Sequence, residues 1–67
     1  MENKSLAIII DLNAYLEANG FKNRYVLNDK NGWILLSDKV GYICKFKNWY
    51  DCYDFLIPFN WGVRSKF

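Results

Sequence analysis

Apolar side chains recur every three to four residues between positions 6 and 19. With successive residues placed about 100° apart and counted from Leu6, five of them share one arc of about 120°: Ile8, Ile9, Leu12, Tyr15 and Leu16. This period predicts a helix over residues 6–19, although the β-branched run 7–10 alone would favour a strand. Ser5 is expected to cap the start of the helix. Asn19-Gly20 favours a left-handed cap at its end, with Phe21 placed to reach back to Leu16 in a Schellman motif.

The pattern changes over residues 23–46, where short apolar runs rich in strand formers are separated by turn residues. We expect strands over about 23–28, 33–37 and 41–46. Asn31-Gly32 tolerates the positive φ angles of a tight hairpin, and residues 37–41 form a second turn. The strands are therefore predicted to form a three-stranded antiparallel meander. Alternation places Tyr42, Cys44 and Phe46 on one face of the third strand.

The second strand, residues 33–37, is apolar on both sides. Its alternation sets Trp33 and Leu35 opposite Ile34 and Leu36. This pattern is typical of a central strand, and we expect another segment to cover part of its second face.

A second helical period covers about residues 48–57. Asn48 with Asp51 three residues later resembles a capping box. Pro58 is expected to end this helix, since the residue before a proline disfavours the helical conformation. Residues 58–67 would then form an aromatic C-terminal tail. The face predicted to be buried contains Trp49, Cys52, Tyr53 and Leu56.

The resulting order is α-β-β-β-α, and the fold class is α+β. A chain of 67 residues has room for one domain, residues 1–67. Apolar residues make up 52% and charged residues 24%, as in folded soluble proteins. We expect two helices on one face of the sheet. The order is similar to that of double-stranded-RNA-binding domains, but the second helix begins with Asn48-Trp49-Tyr50-Asp51 where that family has a lysine cluster. RNA binding is therefore not carried over.

The residues available for chemistry are few. The chain has no histidine, which excludes a His-dependent triad and a His-ligated metal site. Cys44 and Cys52 are the only cysteines, and we expect buried free thiols in preference to a disulfide. Asp51 and Asp54 are neighbours on a helix surface but lack a third carboxylate. We therefore expect no enzymatic activity, no cofactor and no metal.

The apolar runs are too short for a membrane span, and residues 6–10 lack a signal-peptide pattern. We expect a cytoplasmic protein.

Charge is distributed unevenly along the chain. Residues 22–47 carry six basic and two acidic residues, whereas both predicted helices are acidic. The lysines of this segment are expected to protect edge strands from aggregation. The alternative is a nucleic-acid-binding surface in which they flank Tyr25 and Tyr42. The candidate residues are Lys22, Arg24, Lys39, Lys45 and Lys47.

Aromatic residues make up 19% of the chain, more than a small core needs. The natural core members are Tyr15, Phe21, Trp33, Phe46, Trp49 and Tyr53. The surplus lies in the last eighteen residues and predicts a protein-binding surface, with two aspartates as an acidic rim. Alternatively, the tail completes the core, or the surplus serves a homodimer. The candidate partner-binding residues are Tyr50, Asp51, Asp54, Phe55, Phe59, Trp61 and Phe67.

The function expected from these features is a small non-catalytic protein-interaction module. Short length, little chemistry and abundant Lys and Asn are typical of accessory proteins of phages and mobile elements, many of which inhibit a host enzyme or defence complex. The partner would then be a host protein. Nucleic-acid binding by the basic sheet layer is the alternative.

Overall fold

A computed structural model describes residues 1–66 and contains five elements in the predicted order. Helix α1 spans Glu2–Ala18 and helix α2 spans Trp49–Lys66. Strands β1 (Val26–Lys30), β2 (Trp33–Ser37) and β3 (Tyr42–Phe46) form an antiparallel sheet in the order β1-β2-β3. The α+β class and the α-β-β-β-α order are confirmed.

The core lies between the two helices and one face of the sheet. Its fully buried apolar side chains come from α1, β2 and α2, while Phe46 and Tyr25 close its sides. Both helices therefore cover the same sheet face, as the packing of two layers predicts. The apolar residues without measurable exposure are Leu12, Leu16, Leu36, Cys52 and Leu56.

The two turns with the most distinctive local chemistry form as predicted. Gly20 has φ of 80°, and its N–H donates to the Glu17 carbonyl at 3.0 Å. The N–H of Phe21 donates to the Leu16 carbonyl at 2.9 Å. These are the two hydrogen bonds of a Schellman motif. Asn31 and Gly32 both have positive φ, 54° and 78°, as a two-residue type I′ hairpin requires.

Helix α1 begins earlier than predicted, and Ser5 is not its cap. Ser5 lies inside the first turns, where its N–H donates to the carbonyl of Met1 at 3.0 Å. Its side chain is buried beside the Cys52 thiol. The residues before it are polar, so no apolar period marked this extra turn.

Helix α2 has the predicted start but a different end. Asn48 Oδ1 accepts the N–H of Asp51 at 2.9 Å, which confirms the cap. The prediction that Pro58 ends the helix is wrong, because α2 continues to Lys66. Pro58 is exposed, and the apolar period that contains Leu56 continues through Phe59 and Val63. Burial of that face outweighs the lost backbone hydrogen bond.

The two helices lie side by side and run in the same direction. Ser5, near the start of α1, lies close enough to Cys52, near the start of α2, for its hydroxyl to lower the pKa of the Cys52 thiol. Farther along, Arg64 of α2 contacts both Asp11 and Tyr15 of α1. The start of α1 therefore lies beside the start of α2, and the later turns of α1 lie beside the later turns of α2.

Strand β1 begins at residue 26, later than the predicted 23, because the residue before it is bonded elsewhere. The N–H of Tyr25 donates to Asn13 Oδ1, and Asn13 Nδ2 donates to the Tyr25 carbonyl, both at 2.9 Å. Opposite it, the N–H of Asp38 donates to the Gly41 carbonyl within the second turn. The side-chain amide of Asn13 therefore joins α1 to the start of the sheet.

Strand β3 contains a β-bulge. Leu36 pairs with Cys44, but Ser37 pairs with Tyr42, so Ile43 is the extra residue. Cross-strand partners share a face, which places Tyr42 with Ser37 and not with Cys44 and Phe46. The predicted alternation is therefore wrong at Tyr42, which points to the face that the helices leave open.

Candidate interaction surfaces

The most exposed large side chains of α2 form a line along the helix. Tyr50, Asp54, Ile57 and Trp61 are spaced four, three and four residues apart, which places them within about 60° of one another around the axis. Tyr50 is 67% exposed, Ile57 40% and Trp61 64%. This line, the α2 outer stripe, joins two aromatic rings, one aliphatic side chain and one carboxylate.

An interhelical contact holds the helix beside this stripe. Arg64 Nη2 donates to Asp11 Oδ2 at 2.7 Å, Arg64 Nε donates to Asn60 Oδ1 at 3.0 Å, and the guanidinium lies 4.6 Å from the Tyr15 ring centre. Exposed ion pairs contribute little stability, typically below about 1 kcal/mol. Three simultaneous contacts nevertheless restrain Arg64 and the C-terminal turns that present Trp61.

The structure brings together only part of the predicted aromatic surface. Tyr50, Asp54 and Trp61 share the α2 outer stripe, whereas Asp51 lies off it at the helix start. Phe55 and Phe59 lie on the sheet side. Phe59 packs edge-to-face on Tyr25, with ring centres 5.1 Å apart, and stacks on Phe55 at 5.4 Å.

Phe55 also meets Phe46, at 5.2 Å. Phe59 is half-buried against the core, so this part of the aromatic surplus completes the core. Phe67 lies outside the described residues.

Ile57 is the member of the stripe that the sequence reasoning missed. The signal was present, since Ile57 lies three residues after Asp54 and four before Trp61. A helix that ended at Pro58 would leave Trp61 outside it, so only three of the four positions of that period could be placed on one helix face.

A second surface is the sheet face turned away from the helices, which we call the outer sheet face. The register places eight side chains on it: Val26, Asn28, Lys30, Trp33, Leu35, Ser37, Tyr42 and Lys45. Trp33 and Leu35 are half-buried, although Trp33 was predicted as core. Val26 and Tyr42 on this face are 47% and 63% exposed. Lys45 Nζ lies 4.3 Å from the Trp33 ring centre and shields that ring in part.

The five predicted basic residues do not form one cluster. Only Lys45 has a register position on the outer sheet face. Arg24 turns back on its own segment, where Nη1 donates to the carbonyls of Asn23 and Phe21, and Nη2 lies 3.5 Å from Glu17. Lys22, Lys39 and Lys47 are exposed in the connections around the sheet. Tyr25, expected beside them, is buried.

Cys52 lies in the core, and Cys44 packs against it. Burial raises the pKa of the Cys44 and Cys52 thiols; for Cys52 the neighbouring Ser5 hydroxyl lowers it and the Cys44 thiol raises it further. Both cysteines are free and, with raised pKa values, remain neutral thiols near pH 7. Within residues 1–66 we find no pocket, no group of three potential metal ligands and no helix apolar enough over a sufficient length to cross a membrane.

No protein-family model matches the sequence, and no curated protein or solved structure matches it.

Proposed function

We propose that this protein is a non-catalytic protein-binding module and that the α2 outer stripe is its contact surface. The observation that carries the proposal is the line formed by Tyr50, Ile57 and Trp61, with 67%, 40% and 64% of these side chains exposed. Exposed aromatic side chains grouped on one surface are typical of interaction sites. Tyr and Trp are also the residues that most often dominate the binding energy of protein interfaces.

The charge of the stripe defines the kind of partner. Asp54 lies within it, and Asp51 is exposed one turn earlier. We infer a partner surface that offers an apolar groove for Trp61 and Ile57 and a lysine or arginine opposite Asp54, because complementary charges set the register and exclude wrong partners. A helix that lies in a groove with anchors at this spacing is a common mode of recognition.

The module would act by covering a surface of its partner. Within this proposal it is a cytoplasmic accessory protein of a phage or mobile element, and the partner is a host enzyme or defence complex that it inhibits. The composition supports this class, since Lys and Asn are abundant and the chain offers no His-dependent chemistry. A homodimer through the same stripe is the competing outcome.

The test is site-specific photocrosslinking in cells that carry the protein, with benzoyl-phenylalanine at position 61. The matched control has the same probe at Ile10, which is 69% exposed but lies on α1. We expect one adduct with a partner protein from position 61, none from position 10, and loss of the adduct when Asp54→Lys is added. Adducts from both positions, or an adduct of two copies of this chain alone, would contradict the proposal.

The identified partner then permits a direct measurement. Trp61→Ala should weaken its binding by about 30-fold or more, as expected of an interface hot spot. Circular dichroism should show an unchanged fold, since Trp61 is mostly exposed. If Trp61→Ala unfolds the domain, Ile57→Ser and Asp54→Lys test the same surface, and unchanged affinity in both would refute the proposal.

A further inference from the structure

The outer sheet face carries positive charge without a compensating acid. Lys30 and Lys45 occupy two of its eight register positions, and none of the eight is Asp or Glu. Asp29 pairs with Ile34 and so belongs to the opposite face. Three more lysines are exposed in the connections around the sheet: Lys22, Lys39 and Lys47.

The same face presents two aromatic rings. The bulge in β3 places Tyr42 there with 63% of its surface exposed. Trp33 is half-buried, and Lys45 lies over its ring. Trp33 lies four residues from Ser37, the partner of Tyr42, so the rings are about 13 Å apart along the strands. Two rings at that separation would stack on two different bases.

This combination selects one class of partner. A second copy docked face to face would oppose lysine to lysine, which disfavours self-association. A polyanion with flat rings satisfies both features, since its phosphates pair with the lysines and its bases stack on the aromatic side chains. A sheet face reaches bases only where they are not stacked in a duplex. We propose that the outer sheet face binds single-stranded nucleic acid, independently of the α2 outer stripe.

The test is fluorescence anisotropy with labelled single-stranded DNA and RNA oligonucleotides of mixed sequence, at salt concentrations from 50 to 200 mM. We expect binding whose logarithm falls linearly with the logarithm of salt. Tyr42→Ala should weaken it by about 5- to 100-fold, while Tyr42→Phe should retain it, because stacking needs the ring and not the hydroxyl. Preference for RNA over DNA would indicate a contact to the 2′-hydroxyl, and equal affinity for both would indicate recognition through phosphates and bases alone; both support the site.

The lysines have a matched control. Lys30→Glu with Lys45→Glu should weaken binding by at least about 10-fold and reduce the salt slope by about 1.4, since each phosphate contact contributes about 0.7. Lys4→Glu with Lys66→Glu makes the same change of charge on the helices and should alter affinity less than 2-fold. Equal losses of affinity in both double variants would mean that binding depends only on the net charge of the protein, and this would overturn the proposal.

Two other binding results would also overturn it: no binding at 50 mM salt, or tighter binding to duplex than to single strands. A third is self-association through this face, seen as a molecular mass in solution that doubles with protein concentration but stays that of one copy in Tyr42→Ala. Trp61→Ala should leave oligonucleotide affinity unchanged. The two proposals therefore succeed or fail separately.

Discussion

Asn13→Ala is predicted to be the most damaging substitution of a polar residue in α1. The Asn13 side chain makes two hydrogen bonds to the backbone of Tyr25, both at 2.9 Å. Each such bond contributes a net of about 0.5–1.5 kcal/mol. Because Tyr25 is buried, water could only partly replace the hydrogen bonds that its N–H and C=O lose, which adds to the cost. Alanine returns roughly 0.6 kcal/mol through its higher helix propensity.

The expected net loss is about 2 kcal/mol of unfolding free energy. A small domain commonly has only about 5 kcal/mol in total, so this is a large fraction. At about 4–8 °C per kcal/mol for a domain of this size, the melting temperature should fall by about 8–16 °C. Urea and thermal unfolding followed by circular dichroism measure both quantities. Exchange of the Tyr25 amide hydrogen should accelerate more than that of amides within β2.

Two further variants make the prediction specific. Asn13→Asp keeps the acceptor for the Tyr25 N–H but lacks the donor, so its loss should be intermediate. Asn3→Ala, an exposed position of the same helix without a side-chain hydrogen bond, should change stability by less than about 0.5 kcal/mol. A loss in Asn13→Ala no larger than that in Asn3→Ala would refute the reasoning.

Three other substitutions test the backbone and the buried thiols. Gly20→Ala should lower the unfolding free energy by about 1 kcal/mol in urea titrations, since φ of 80° strains an L residue; no loss would count against the Schellman motif. Pro58→Ala should raise it by about 1–3 kcal/mol, because the Asp54 carbonyl gains a helical donor; a decrease would show that α2 needs its proline. Burial raises the thiol pKa of Cys52 above its ordinary value of about 9, so the folded state holds the proton longer than the unfolded state. The free energy of unfolding should therefore decline as pH rises above about 9, and it should decline less steeply in Cys52→Ala. Parallel curves of unfolding free energy against pH for the two proteins would refute this.

Local chemistry explains what the sequence predicted correctly. Gly20 and the Asn31-Gly32 pair adopt positive φ at low cost whatever surrounds them, so turns there follow from residue type. Asn48 likewise caps the helix that directly follows it. Element order and the three-stranded meander rest on these short-range signals.

The errors occur where tertiary burial overrides a local preference. Pro58 disfavours helix locally, but Phe59 and Val63 gain burial when the helix continues. Tyr42 changes face because of a bulge that depends on pairing with Ser37, which residue spacing does not reveal. Both errors affected the candidate surfaces: the first left Trp61 outside the helix that carries Ile57, and the second placed Tyr42 on the face of Cys44 and Phe46.

The bulge in β3 also has a consequence for aggregation. In the part of the chain that the structure describes, β1 and β3 each have one neighbour, so both present an unpaired row of backbone N–H and C=O groups. Such edges recruit strands from other molecules unless something interrupts them. At Ile43 the bulge breaks the regular spacing of that row, and Lys45 places a charge beside it. An incoming strand would find only a few residues in register, so the irregularity that exposes Tyr42 also limits growth of the sheet into a fibre.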